Sequence, residues 1–273
     1  MTRTALLIAL ASGTLATAGL AGVAGARWLR PAPGLGPAAP QEDPRYDGRF
    51  TFVRIRFGED GGGLRNFQGF GRRGRGREPV WAHDTPYAEQ NFAKILDATT
   101  FVDNYKEGLA GRNLTTDDPE LSRYPLAFMV EVGYWTPSEA EVEGLRDYLL
   151  KGGFLIVDDF RGEGALRNFL YHMERVLPGA RVVEVPDDHD IFDSFFHIAE
   201  PQSLTPPYNQ ELHPFYLGFH EDNDPSKRLM VIMNYNNDHM EYWEYSERGY
   251  YPIDLANEAY KFGVNYVIYA LTH

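Results

Sequence analysis

Carboxylates and histidines are the residues of this 273-residue chain with the most chemistry to offer, because cysteine is absent. A count of zero removes disulfides, thiolate metal sites and a cysteine nucleophile together. The remaining candidates sit where apolar runs give way to polar turns. They are His83-Asp84, Glu131 followed by Tyr134 and Trp135, Asp158-Asp159 followed by Arg161, His189 within DDHDIFD (187–193), and Asp238 with His239 within NYNNDH (234–239). Oxygen and imidazole donors of this kind suit a hard divalent ion or general acid–base work. Glu131, Asp158, Asp159 and His189 are the catalytic candidates; His83, Asp84, Tyr134, Trp135, Arg161 and Asp238 are the ligand-binding ones. Each also has a structural reading. Aspartates at strand ends cap helices or close turns, and His189 fits a solvated loop. A glutamate in an apolar run needs an ion-pair partner or a shifted pKa. Trp81, Tyr134, Trp135 and Trp243 are rings able to stack a sugar, although core and rim packing uses such rings more often. No motif specifies a cofactor, since P-loop and HExxH patterns are missing; a divalent metal is compatible with the donor set.

The elements that must position these groups follow from periodicity. Residues 50–57 (FTFVRIRF) alternate, with Val53, Ile55 and Phe57 on one face and Arg54 and Arg56 on the other, as in a strand. Thr85-Pro86 reads as N-cap and first residue of a helix whose inner face holds Ala88, Phe92, Ile95 and Leu96, with Glu89 near its positive end. The run 126–132 (LAFMVEV) suits a strand covered on both faces. Thr136-Pro137-Ser138-Glu139 reads as a capping box for the next helix, which stops at Gly152-Gly153. Another buried strand, 154–157, ends in Asp158-Asp159 and precedes a helix marked by Leu166, Phe169, Leu170, Met173 and Leu177. Residues 181–185 and 229–234 supply further strands, and Leu255, Ala259, Phe262 and Tyr266 the inner face of a closing helix. Repeated strand–helix alternation predicts an α/β, doubly wound, mostly parallel sheet with helices on both faces. Its ligands belong beyond the carboxyl ends of the strands. The stretch 195–228 reads as an irregular excursion.

Charge and the N-terminus bound the setting. The formal net charge of −13 disfavours nucleic acid and anionic lipid as partners. Residues 1–26 read as a signal peptide, with Arg3, an uncharged run, and Ala24-Gly25-Ala26 for cleavage. Residues 27–45 read as a Pro/Ala-rich linker and 46–273 as one α/β domain, so a periplasmic or secreted protein is expected. Arg27, Trp28 and Arg30 keep an uncleaved membrane anchor as the alternative. The Arg/Gly loop 71–77 reads as a surface loop, or as a dock for an acidic partner.

Three long segments carry a family resemblance: HDTPYAEQNFAKILDATTFVD (83–103), YPLAFMVEVGYWTPSEAEVEGLRDYLLKGGFLIVDDFRG (124–162) and FGVNYVIYALTH (262–273). The chain resembles the bacterial family named domain of unknown function 4159. That resemblance implies a flavodoxin-like fold similar to class I glutamine amidotransferases, with no activity assigned. It also implies an envelope role beside von Willebrand A domain proteins and MoxR-type ATPases as partners. Glutamine hydrolysis through a cysteine thioester is excluded in a chain without cysteine. Two functions stay open: a ligand-binding or interaction domain of the cell envelope, and a carboxylate- or metal-dependent hydrolase acting on an envelope saccharide or peptide. The second requires Glu131 to converge with Asp158 or Asp159.

Overall fold

Five parallel strands and a two-strand antiparallel edge make one seven-stranded sheet in a computed structural model of the chain. The structure describes residues 46–58, 79–108 and 110–273. The signal-peptide, linker and Arg/Gly-loop expectations fall outside them. The sheet comprises β1 (Phe52–Ile55), β2 (Gly111–Leu114), β3 (Leu126–Val130), β4 (Phe154–Phe160), β5 (Val183–Glu184), β6 (Phe215–His220) and β7 (Leu229–Tyr235), in the order β2-β1-β3-β4-β7-β6-β5. The helices are α1 (Tyr87–Thr99), α2 (Glu139–Leu150), α3 (Gly162–Val176), α4 (His239–Tyr245) and α5 (Ile253–Thr272). The fold is the α/β, flavodoxin-like arrangement expected. Among the described residues, no helix is long and apolar enough to cross a membrane.

Alternation along the strands builds two cores. Phe52, Phe128, Phe154 and Ile156 face one side, where α1, α4 and α5 pack. Val53, Met129, Leu155 and Val157 face the other, against α2 and α3. The sheet is therefore buried on both faces, which is why β3 and β4 are continuously apolar until their ends. Gly263 lets α5 sit close: a Cβ there would stand 2.4 Å from Phe92 and 2.6 Å from Trp243.

Arg54 lies on the face opposite Val53 and Ile55, as the alternation expects, and that face is covered: Arg54 is 1 % exposed, and its guanidinium meets the Glu89 carboxylate of α1 at 2.6 Å. Several local expectations are corrected. Glu89 answers this buried cation rather than a helix dipole. Pro86, not Thr85, occupies the N-cap position of α1, and it makes no side-chain cap bond. The α2 capping box pairs Ser138 with Glu141, whose carboxylate accepts from the Ser138 amide at 2.8 Å. The run 126–132 ends as a strand at Val130, and the stretch 195–228 contains β6.

Candidate functional site

Backbone kinks at the carboxyl ends of the strands aim the polar groups. Asp84, Glu131, Asp159 and Asn236 all have left-handed φ, between +49° and +65°. This region is uncommon for residues other than glycine. At Asp159 the cause is visible. The β4–β7 pairing slips between Val157 and Phe160, so Phe160 joins Leu155 and Val157 on the α2/α3 face. Strict alternation would have put Asp159 there. The bulge instead turns Asp159 toward the turn ahead of α1, where its Oδ2 lies 2.7 Å from His83 Nδ1. Glu131 follows β3 directly, and its amide donates to the Asp159 carbonyl at 3.2 Å.

Two overlapping groups of donor atoms result, each drawn together within 4.8 Å. The outer one, His83, Glu131 and Asp159, includes partly exposed residues; the His83 side chain is 32 % exposed. The inner one, Asp84, Asp159 and Asp238, is fully buried. Glu241 forms a third such group with His83 and Asp84. Asp238 caps α4, its Oδ1 accepting from the Glu241 amide at 2.9 Å.

The electrostatics reflect carboxylates crowded in low dielectric. Burial, reinforced by the Asp159 charge, pushes Glu131 up to about 8. Burial likewise holds Asp84 and Asp238 well above the ordinary carboxylate range. Asp159 goes the other way: burial opposes its charge, but the His83 charge and hydrogen bond outweigh that and keep it ionised. His83 is raised to about 11, chiefly by the Asp84 charge and then by Asp159 against its own burial.

The remaining candidates divide. Asp158 belongs to the architecture: it accepts from the amides of His239 at 2.9 Å and Met240 at 3.0 Å, and from Asn234 Nδ2 at 2.9 Å. His189 lies away from the others, 5.6 Å between ring centroids from His220 at the end of β6, beside Arg228 where β7 begins. Trp135 and Trp243 are core residues, packed on Phe169 and Phe92 respectively. Trp81 is partly buried, and its carbonyl accepts from Arg54. Tyr134 remains at the rim, 46 % exposed. Arg161 is also exposed there, its guanidinium 4.5 Å above the Tyr208 ring. Of the ten sequence candidates, the structure gathers His83, Asp84, Glu131, Asp159 and Asp238, with Arg161 adding a positive charge that acts on Glu131 and Asp159.

Glu241 and Tyr208 were not singled out from sequence. Asp238-His239-Met240-Glu241 has the acid-x-x-Glu spacing of a helix start, which could have flagged Glu241. Nothing around Tyr208 distinguishes it from other loop tyrosines.

The family model described as domain of unknown function (DUF4159) matches residues 72–271, a span that holds both donor groups. No curated protein matches the chain.

Proposed function

The chain belongs to the domain of unknown function (DUF4159) family, a description without an activity, and from the site we propose a cation-dependent hydrolase of the cell envelope. In this reading His83, Glu131 and Asp159 hold a hard divalent ion at the strand ends, and a water on that ion attacks a polar saccharide or peptide. The observation that carries it is the convergence of those three donor atoms within 4.8 Å on a partly exposed rim. Chemistry adds support. The strand-end segments 131–135 and 158–162 present no serine, threonine or cysteine, which favours an activated water as the nucleophile. Arg161 and Tyr134 at the rim are suited to hold the substrate. The envelope setting rests on the N-terminal segment.

The test is turnover by the purified full chain of a panel of glycosides, peptides and esters, with Mn2+ and after chelation. Cation-dependent turnover that Asp159→Asn abolishes is expected. A second reading, binding without catalysis, draws on the same rim of Arg161, Tyr208 and Tyr134. Saturable ligand binding with no turnover under any cation would favour it over hydrolysis.

A further inference from the structure

Resting on that reading, we propose that the strand-end centre is built for two cations, the second held in the buried group Asp84, Asp159 and Asp238, with Asp159 bridging the pair. The inner group is more than a gathering of acids. Asp84 is 0 % exposed, and neither of its carboxylate oxygens has a hydrogen-bond partner among the described residues. Asp238 Oδ2 is likewise buried without one. By contrast, Asp158 takes three hydrogen bonds, and Glu89, though its Oε2 has no hydrogen-bond partner, faces the Arg54 guanidinium. Buried carboxyls without hydrogen-bond partners are costly for a fold to carry, and a bound cation is a counter-charge that would offset two of them held side by side.

His83 answers only part of that cost. Its Nδ1 gives its hydrogen bond to Asp159 and stands 3.5 Å from Asp84 Oδ1, an ion pair without a hydrogen bond, and it makes no contact of this kind with Asp238. One carboxylate oxygen each from Asp84, Asp159 and Asp238 gathers inside 4.8 Å, a space spanned by one ion with metal–oxygen bonds of about 2.0–2.6 Å. An all-oxygen set selects a hard ion such as Mg2+, Mn2+ or Ca2+, whereas the outer set includes an imidazole. Asp159 is common to both sets. A carboxylate shared by two ions about 3.5–4 Å apart is the arrangement in which one ion carries the attacking water and the other takes the substrate oxygen.

The experiment uses the full chain, stripped with chelator and titrated with Mn2+. Bound metal is counted by equilibrium dialysis and followed by electron paramagnetic resonance. Two Mn2+ per chain with an exchange-coupled spectrum are expected. Asp238→Asn should lower the count to one and leave the spectrum of an isolated ion. Asn still caps a helix, so α4 should survive that change. Asp84→Asn, which leaves the α4 cap untouched, should do the same. One Mn2+ per chain, lost in His83→Gln and kept in Asp84→Asn, would overturn the second cation and leave the single-cation hydrolase standing. No bound Mn2+ would overturn both. Two uncoupled ions would overturn the bridge.

Discussion

Replacing Asp84 by Asn should stabilise the cation-free protein, and more so as pH rises. The side chain is fully buried and neither oxygen is hydrogen-bonded, so the lesion removes a buried charge and its 3.5 Å approach to His83 but no hydrogen bond. Asn also tolerates the φ of +65° at this position. Burial raises the folded-state pKa of Asp84 above its unfolded value. The folded protein therefore binds more protons than the unfolded chain above about pH 4, and stability falls with rising pH. Asn deletes that loss. Relief of an unsatisfied buried carboxylate amounts to about 1–3 kcal/mol. At about 2–4 °C per kcal/mol for a domain of this size, Tm should rise by about 2–12 °C at pH 8, and by less at pH 5. Cation works in the opposite sense. At a hundredfold excess over Kd one site stabilises by about 2.7 kcal/mol, or about 5–10 °C, and the variant should lose one such increment. Differential scanning fluorimetry at both pH values, with chelator and with Mn2+, reads all four quantities. A variant that melts lower than wild type at pH 8 and keeps the full Mn2+ increment would refute the reasoning, because Asp84 would then be stabilising on its own.

Glu131, pushed up to about 8 by burial, should give the cation-free protein a stability that declines between about pH 4.5 and 8; urea titrations of wild type and Glu131→Gln should diverge progressively across that range and run parallel above it. Arg54→Met strands the Glu89 carboxylate in the core and should cost about 3–5 kcal/mol in urea unfolding, with much of it recovered in Arg54→Met/Glu89→Gln. Asp158→Ala removes the acceptor of two α4 amides and should cost about 2–3 kcal/mol or more, measured the same way. Gly263→Ala should destabilise by about 1–3 kcal/mol although alanine favours helix, because the new methyl would meet Phe92 and Trp243; calorimetry decides the sign.

Much of the fold could be read from residue patterns because its central strands are unusually plain. LAFMV and FLIV are apolar on both faces, so β3 and β4 announce a sheet sandwiched between helix layers. The edges are less legible. β2 is GRNL, with Arg112 and Asn113 only half-buried, and nothing in those four residues separates a strand from a loop. β6 is hidden by the surrounding prolines and aromatics, and α4 is too short for a helical period to register. Alternation along β1 sets Arg54 on the face opposite Val53 and Ile55 but does not say what covers that face, which is where Glu89 waits across the interface. At the site, the residue types and the strand-end location were readable, but the division of labour was not. Asp158 and Asp159 are identical neighbours on paper, and a bulge visible only in three dimensions leaves one under the first amides of α4 and turns the other toward His83. His189 looked like its fellow candidates by composition, yet the chain doubles back after β5 and leaves it beside His220 at the start of β7.

The short helix α4 is held at its head by the two acids that flank this division. It has seven residues, fewer than a helix needs to persist unaided. Its first amides rest on Asp158, and Asp238 spends one oxygen on the Glu241 amide while the other stays bare. Loading the bare oxygen and gripping the helix are therefore two ends of a single carboxylate. The helix in turn lies against α1 and α5, with Trp243 stacked on Phe92 and Tyr260. A cation bound at the centre should draw this arm taut, so the outer helical layer should register the state of the strand ends. Slower amide hydrogen exchange across residues 239–245 on adding Mn2+, with α2 unchanged, would be its signature.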